Sequence, residues 1–314
     1  MPELPEVETV RAGLAPAVTN AKVLAVEILD ERSLKRHLAG PRDFVQTITG
    51  AKILAVVRRG KFLWMPLELH GEKAGDKKLA LVGHLGMSGQ MFLRKPSDPE
   101  DKLTRVVLKL ETARGKEVEF RFIDQRVFGS LAIDELVPTP DGKPGGYTST
   151  SATGKWWQNL IPASAAHIAR DPLDSSFDSE VVRAKFAKKN SGIKRVLLDQ
   201  QVLSGVGNIY ADEALWATKL HYDQPANTLS KATFNSLIAE VKRILEAAVA
   251  EGGTSFDEQY KNVNGESGYF EVSLNAYGMT DRPCNRCGRA IRREAWMNRG
   301  SHFCPNCQKL RKQA

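Results

Sequence analysis

The sequence predicts an α+β protein of several domains, with an antiparallel β-sandwich first, a helical domain second and a four-cysteine zinc finger last. Three observations carry this prediction. Short runs rich in β-branched residues fill the first part of the chain, a long helical stripe follows, and all four cysteines lie within residues 281–314. The chain of 314 residues, 42% of them hydrophobic, is long enough for at least two cores, at roughly 150 residues per domain.

The first domain should open with a short helix over residues 5–15. Pro5 suits the first helical turn, and Val7, Val10 and Leu14 share one face. Apolar runs that indicate strands then lie at residues 23–28, 44–48, 53–57, 79–82, 106–110 and 117–122. The last run alternates polar and apolar residues, as a half-buried strand does. Because no long helix separates these runs, we expect antiparallel sheets packed as a sandwich over residues 1–137.

A linker is expected over residues 138–172, because prolines, glycines and small polar residues dominate its first half and leave little to bury. Beyond it the apolar period lengthens to that of a helix. Ile193, Val196 and Leu197 indicate one helix, and a stripe from Leu237 to Val249, ended by two glycines, indicates another. Residues 173–280 are therefore predicted as a helical domain.

The four cysteines have the spacing of zinc ligands. Cys284 and Cys287 form one two-residue knuckle, and Cys304 and Cys307 form a second one. Two such knuckles wrap one tetrahedral Zn²⁺, and four thiolates leave no open position for a catalytic water. We therefore expect one structural zinc, with His302 as a ligand only if a cysteine fails to bind.

Positive charge is concentrated in the same segment. The whole chain has a net charge of +8, and residues 281–314 hold nine basic residues against two acidic ones, a net +7. A rigid hairpin that carries so many cations is suited to binding the phosphates of a nucleic acid.

The location of the protein is expected to be cytoplasmic. Its acidic, proline-rich start lacks the features of a secretion signal, no run approaches the ~20 apolar residues of a membrane span, and the cysteines do not form a disulfide framework. We expect a monomer with no membrane partner.

Two glycine-rich segments could bind DNA or could be ordinary structure. In residues 199–213, two glycines permit a tight turn, and Asn208 is expected to cap the following helix, whose N-terminus could receive a phosphate. A plain capped helical hairpin is the alternative, and Lys194 upstream favours the phosphate. Residues 83–89 present Met87 between glycines, where a methionine would otherwise fill a core.

The N-terminus itself could be a nucleophile. If Met1 is removed, Pro2 presents a secondary amine that titrates near neutrality, whereas a retained Met1 makes that nitrogen an inert amide. Glu3 and Glu6 are close enough along the chain to donate or accept a proton, although two acids in a first helical turn also complement the helix dipole.

Taken together, these segments identify a family. The start, residues 2–9, the segment from Gly205 to Ala211 and the four cysteines resemble bacterial formamidopyrimidine-DNA glycosylase along essentially the whole chain. Leu4 separates the chain from the related endonuclease VIII enzymes, which tend to have glycine there. The resemblance implies a β-sandwich, a helix–two-turn–helix domain and a zinc finger, with duplex DNA in the cleft between them.

The activity that the resemblance implies is excision of oxidised purines, chiefly 8-oxoguanine and formamidopyrimidines, followed by strand cleavage at the abasic site. Pro2 would attack C1′ of the damaged nucleotide, which must leave the base stack. Glu3 matches the catalytic acid, Glu6 matches a residue that organises the site, and Lys61 matches a lysine that contacts the phosphate beside the lesion.

The resemblance also implies the DNA contacts. Met87 and Phe128 would fill the gap left by the everted base, and Arg126 would hydrogen-bond the orphaned cytosine. The implied phosphate contacts are Lys194, Asn208 and Arg299, and the implied lesion loop spans residues 264–270, with Ser267, Gly268 and Tyr269 at its centre. Val127 departs from the pattern, since many members have a second arginine there.

Two alternatives remain open at this stage. An endonuclease VIII-like enzyme would prefer oxidised pyrimidines, but the set of Met87, Arg126 and Phe128 favours purines. A noncatalytic zinc-finger protein would bind DNA without cleaving it, but the intact Pro2 and Glu3 argue against that reading.

Overall fold

The computed structural model describes residues 2–69, 77–253, 263 and 274–311. The chain divides into two units, one made of Met1–His167 with Thr254–Gly268 and the other of Ile168–Gly253 with Tyr269–Ala314. Among the described residues, no helix combines the length and the apolar character that a membrane crossing requires.

The first unit is built on antiparallel strands, as predicted. Its described part holds ten strands: β1 (Lys22–Ile28), β2 (Lys52–Ile53), β3 (Val57–Arg59), β4 (Phe62–Glu68), β5 (Leu79–His84), β6 (Gly89–Arg94), β7 (Thr104–Glu111), β8 (Glu117–Asp124), β9 (Ser130–Pro138) and β10 (Leu160–Pro162). The hydrogen-bonded order is β10-β9-β5-β4-β2-β1-β7-β8-β6, and β3 pairs with β4. β1 joins β2 through one register pair, Lys22 with Lys52.

The strands on the β2 side of this sheet (β10, β9, β5 and β4) pack face to face with the strands on the β1 side (β7, β8 and β6). Their common core contains Leu63, Leu81 and Leu131 from one half and Leu108 and Phe120 from the other. A Cβ added at Gly83 of β5 would collide with the Met91 side chain of β6, which shows how closely the layers approach. The predicted β-sandwich is therefore confirmed.

Two α-helices accompany the sandwich in the described part of this unit. α1 (Leu4–Val18) confirms the helix predicted near the start, and its residues Val7, Val10 and Leu14 lie in the sandwich core. α2 (Gly40–Ile48) contains residues 44–48, so the strand predicted there is wrong. Pro41 suits the first turn of this helix, and the fully buried Phe44 and Ile48 lie four residues apart on one helical face.

The segment expected as a linker is packed on the sandwich over much of its length. β10 pairs with β9, and Tyr147 exchanges two backbone hydrogen bonds of 2.8 and 2.9 Å with Arg58. Trp157 is buried. A Cβ at Gly145 would collide with the Leu160 carbonyl, so the glycine permits the two backbone segments to approach closely. From composition alone, the same glycine indicates a flexible loop.

The second unit is helical, as predicted. The α-helices of its described part are α3 (Ser179–Phe186), α4 (Ile193–Leu197), α5 (Asn208–Ala217) and α6 (Lys231–Ala250). α6 begins after Ser230, whose hydroxyl accepts from Thr233 N at 3.2 Å, and ends before Gly252 and Gly253, which adopt φ angles of 78° and 88°. The same unit includes a hairpin of β11 (Arg292–Trp296) and β12 (Arg299–Phe303).

Candidate active site

The first turn of α1 holds the N-terminal carboxylates in place. Glu3 is the N-cap residue, and its side chain accepts from the backbone N–H of Glu6. In return, the Glu6 carboxylate accepts from the backbone N–H of Glu3 at 2.8 Å, which completes a capping box. Glu3 and Glu6 are each 3% exposed, and Pro2 is buried beside them. The capping box therefore fixes both acids next to Pro2.

A buried ionic cluster fixes α1 against the sheet. The Glu8 carboxylate accepts from Arg11 at 2.9 Å and from Arg58 of β3 at 2.8 Å, and all three residues are less than 8% exposed. Removing one partner of such a buried cluster leaves an uncompensated charge, so the cluster constrains the helix strongly. Because Arg58 comes from β3, the cluster links the N-terminus to the sheet.

The same arginine reaches the turn that presents Lys61. Arg58 Nη1 donates to the Gly60 carbonyl at 3.1 Å. Gly60 and Lys61 form a two-residue hairpin loop between β3 and β4, and Gly60 has a φ of +55°, which favours glycine. Lys61 is half-buried at this turn.

Met87, Arg126 and Phe128 lie on two adjacent loops of the sandwich. Met87 is 41% and Phe128 45% exposed, although both are large apolar residues, and Arg126 is exposed as well. The Arg126 guanidinium lies 4.7 Å from the centroid of the Phe128 ring, within the range of a cation–π contact. The core alternative for these residues is therefore wrong, and they form a solvated apolar and cationic edge.

His84 is a residue of this region that the sequence reasoning did not single out. It ends β5, stacks edge-to-face on Phe62 with a centroid distance of 5.6 Å, and has a buried Nδ1 with no hydrogen-bond partner among the described residues. Burial, with smaller contributions from Arg36 and Lys35, lowers its pKa to about 4. The histidine is therefore neutral near pH 7, and its place in the segment of Met87 was the available signal.

In the helical unit, Asn208 differs from its predicted role as a cap. Gly207 is the N-cap of α5, and Asn208 is the first helical residue. Its side chain amide instead donates to the Gly300 carbonyl of the hairpin at 3.1 Å. Because the extended Gly207 is the N-cap residue, the Asn208 side chain does not act as the cap.

The surroundings of Lys194 also differ from those expected for a residue that contacts a phosphate. Its ammonium is fully buried, 2.6 Å from Asp212 Oδ1, and donates to Ser301 Oγ at 2.8 Å and to the Gly300 carbonyl at 3.1 Å. An enclosed ammonium that is already paired with a carboxylate cannot reach a phosphate without leaving that pair. Lys194 therefore joins α4 to α5 and the hairpin.

The four cysteines meet as predicted. The sulfur atoms of Cys284, Cys287, Cys304 and Cys307 all lie within 4.8 Å of one another. The distance between the sulfurs of Cys287 and Cys304 is 3.5 Å, close to the edge of about 3.8 Å for a tetrahedron with Zn–S bonds of 2.3 Å. These thiols fit one structural zinc. Trp216 Nε1 donates to the Cys284 sulfur at 3.4 Å, which orients that ligand from α5.

His302 is not needed as a ligand. It is buried, and its backbone N–H donates to Asp212 Oδ2 at 2.9 Å. Its ring also faces Asp212, with Nδ1 at 3.3 Å from the same oxygen. His302 therefore anchors the hairpin to α5.

Arg299 stands at the tip of the hairpin. The two-residue turn of Met297 and Asn298 has positive φ at both positions, 45° and 60°, as a type I′ turn requires. Arg299 follows directly and is exposed, as are the other described basic side chains of the segment apart from the half-buried Arg286. The implied lesion loop, with Ser267, Gly268 and Tyr269, lies outside the described residues.

Family models match these parts in order. A formamidopyrimidine-DNA glycosylase N-terminal domain matches residues 1–131, the H2TH domain of the same enzymes matches 168–259, and a zinc finger found in FPG and IleRS matches 282–310. A β-sandwich that starts at a capped N-terminal helix, a helix–two-turn–helix unit and a four-cysteine hairpin define a zinc-finger DNA glycosylase.

The relatives specify the family. The formamidopyrimidine-DNA glycosylase of Leifsonia xyli subsp. xyli is 55% identical over 312 residues, covering 99% of this chain and 100% of that protein. The enzyme of the same name from Streptomyces coelicolor is 46% identical over 309 residues, covering 98% of each. The chain belongs to the formamidopyrimidine-DNA glycosylase family. It is thus an enzyme, with the glycosylase and abasic-site lyase activities of that family.

Solved structures agree with this assignment. A complex of Lactococcus lactis Fpg with DNA containing an abasic site has a TM-score of 0.77 and 29% identity, covering 98% of this chain and 99% of that one. A complex of the Lactococcus lactis protein with Fapy-dG DNA has a TM-score of 0.75 and 29% identity, covering 98% and 100%.

Proposed function

We propose that this enzyme excises oxidised purines, 8-oxoguanine and formamidopyrimidines, from duplex DNA in base excision repair and then cleaves the strand at the abasic site. The observation that carries the proposal is the N-terminal turn, where Glu3 and Glu6 cap each other beside Pro2. Once Met1 is removed, this turn places two carboxylates within one helical turn of the secondary amine of Pro2.

The chemistry begins when the Pro2 nitrogen forms a bond to C1′, the bond from C1′ to the damaged base breaks, and the proton that the nitrogen loses neutralises the departing base. Glu3 protonates the sugar ring oxygen as the ring opens, which leaves a positively charged iminium on Pro2. The iminium acidifies the C2′–H, so loss of that proton expels the 3′ phosphate by β-elimination. The 5′ phosphate leaves next by δ-elimination, and water releases the sugar fragment from Pro2.

The remaining residues have supporting roles in the proposal. The Glu6 carboxylate holds Glu3 in place by accepting from the backbone N–H of Glu3. Lys61 contacts the phosphate beside the lesion from its hairpin turn. Met87 and Phe128 fill the gap in the duplex, because an everted base costs a few kcal/mol of stacking that inserted side chains offset. Arg126 hydrogen-bonds the orphaned cytosine.

The second unit supplies contacts to the DNA backbone. Arg299, exposed at the hairpin tip, is the phosphate contact that the geometry supports best. Asn208 and the buried Lys194 support it from within, since both donate to the carbonyl of the neighbouring Gly300. The excess of basic side chains on the finger favours attraction to the polyanion.

The location proposed for this activity is the bacterial cytoplasm, where the enzyme associates with the nucleoid through DNA. Membership of a family of DNA repair enzymes supports this location, and action as a monomer stays a prediction.

Borohydride trapping tests the proposed function. The wild-type enzyme should form a reduced covalent complex with a duplex containing 8-oxoguanine opposite cytosine, and Pro2→Gly should abolish or greatly weaken it. Pro5→Ala is the matched control, because Pro5 lies in the same turn but has no role in the chemistry. Trapping by Pro2→Gly at the wild-type level would remove the assigned nucleophile.

Competition and mass measurements separate the alternatives. Preference for thymine glycol over 8-oxoguanine would favour the endonuclease VIII-like reading. Complete retention of Met1, shown by the intact mass of the protein from cells, would favour the noncatalytic DNA-binding protein, since Pro2 would then lack its amine.

A further inference from the structure

Asp124 connects the two loops that carry Met87, Arg126 and Phe128. It is the last residue of β8 and is fully buried. One carboxylate oxygen, Oδ1, accepts from Ser88 Oγ at 2.6 Å, and Ser88 follows Met87 directly. The other, Oδ2, accepts from Gly129 N at 2.6 Å, directly after Phe128. Asp124 thus holds one end of each loop.

The same carboxylate holds Arg126. The backbone N–H of Arg126 points between Asp124 Oδ1 and Ser88 Oγ, with a distance of 3.2 Å to each. Hydrogen bonds to a buried carboxylate are stronger than those between neutral groups. Only a carboxylate accepts at both of its oxygens, because an asparagine places an N–H₂ group where one acceptor is required.

The loops fit together tightly at this point. A Cβ added at Gly86, which has a φ of +62°, would lie 2.6 Å from the backbone carbon of Phe128. Val127 has a φ of +54°, which is unusual for a β-branched residue, and its carbonyl accepts from Lys35 Nζ at 2.6 Å. Such a conformation persists only where the surroundings hold it, and the bonds of Asp124 to Arg126 and Gly129, which lie on either side of Val127, do so.

We propose that Asp124 is a positioning residue that sets the preference of the enzyme for the base opposite the lesion. By holding the N–H groups of Arg126 and Gly129 together with Ser88, it fixes the direction in which Arg126 and Phe128 leave the sandwich and their distance from Met87. The inference rests on the proposed function, in which Arg126 reads the orphaned base.

The test compares Asp124→Asn with Glu117→Gln. Both changes turn an acid into its amide on β8, but Glu117 is exposed at the opposite end of the strand. The readouts are kcat/KM on duplexes with 8-oxoguanine opposite cytosine, thymine, guanine and adenine, and the midpoint of thermal unfolding. For Asp124→Asn we expect the cytosine-to-adenine ratio to fall about tenfold, the effect of a lost hydrogen bond to a charged group. Glu117→Gln should keep the wild-type ratio.

A merely structural role gives a different result. It would lower kcat/KM on all four duplexes by the same factor, together with the unfolding midpoint, and this outcome would overturn the proposal. Ser88→Ala is the second variant and decides the question if Asp124→Asn does not fold, because it removes one donor and leaves the carboxylate in place. A ratio within about twofold of wild type in the folded variant would also overturn the proposal.

The control reaction separates this inference from the function on which it rests. Absence of a trapped complex with the wild-type enzyme would remove the proposed function itself. A trapped wild-type complex with an unchanged ratio in the variants would remove only the role of Asp124.

Discussion

Lys194 and Asp212 form an ion pair in the interior of the helical unit, with 2.6 Å between Nζ and Oδ1 and side chains that are 0% and 1% exposed. Lys194 belongs to α4 and Asp212 to α5. Both also bond to β12, Lys194 through Ser301 and Asp212 through the backbone of His302. The pair therefore connects two helices to the zinc-binding hairpin.

Asp212→Asn or Lys194→Met should each destabilise the protein by about 3–5 kcal/mol, because each leaves an uncompensated buried charge. The double variant Lys194→Met with Asp212→Asn should be destabilised by less than the sum of the two, since it removes both charges. Chemical unfolding followed by the fluorescence of the tryptophans measures these values. Single variants within about 1 kcal/mol of wild type would contradict the prediction.

Zinc removal should release the hairpin from its docked position. The four thiols meet around one point, and α5 contacts this cluster through Trp216. We expect one zinc per chain by atomic absorption, and a strong chelator should remove it together with most of the affinity for DNA. Re-addition of zinc is the control, and DNA binding that survives complete loss of the metal would contradict a structural role.

The acid stability of the protein should depend on His84. Its folded pKa of about 4 lies below the ordinary value near 6.5, so the unfolded chain binds a proton that the folded chain excludes between these pH values. His84 therefore does not change the stability at pH values above the pKa of the unfolded chain. Below that pH, stability is lost as the pH falls toward the pKa of the folded chain.

His84→Gln should remove this loss. Relative to the wild type, the variant should gain about 2 kcal/mol in the free energy of unfolding between pH 7.5 and pH 5. Denaturant titrations at several pH values measure the difference, and above pH 7 the two curves should run parallel. Equal losses in both proteins on acidification would show that other groups dominate and would contradict the prediction.

Local patterns in the sequence predicted the elements that are local in the structure. The spacing of the cysteines, the apolar stripe of α6 and the β-branched runs each involve residues close in the chain. The strand predicted at 44–48 failed because Val45, Thr47 and Ile48 suggest a strand by type, whereas the spacing of Phe44 and Ile48 suits a helix equally well.

The contacts that hold the candidate site could not be predicted in this way. Asp124 bonds to Ser88, 36 residues away, Arg58 to Glu8, 50 residues away, and Asp212 to His302, 90 residues away. No local pattern indicates that such polar residues are buried, because burial depends on a partner that only the fold supplies. The resemblance supplied the site residues, both exposed and buried, but not these partners.

Val127 occupies the strained position between Arg126 and Phe128. Val127→Arg should add a cation to this exposed edge and steepen the dependence of log K for DNA on log salt by about 0.9. Val127→Asn is the matched control without charge. It should keep the wild-type slope but raise the free energy of unfolding by about 1 kcal/mol, because asparagine tolerates positive φ better than valine. A slope that is the same in all three proteins would contradict the added phosphate contact.

Arg126 and Arg299 should differ in what their loss changes. Arg126→Ala should reduce the preference for cytosine opposite the lesion, because the bond to the orphaned base is lost. Arg299→Ala should weaken binding to all duplexes alike and reduce the salt slope by about one, because a phosphate contact is lost.

The two effects are measured by kcat/KM on duplexes with each opposite base and by DNA binding at several salt concentrations. Arg289→Ala is the control for charge, since Arg289 is also exposed on the zinc finger but lies in the knuckle rather than at the hairpin tip. If Arg289→Ala weakens binding as much as Arg299→Ala, the contact is a general attraction to the polyanion. If Arg126→Ala and Arg299→Ala change the opposite-base preference equally, the roles assigned to the two arginines are wrong.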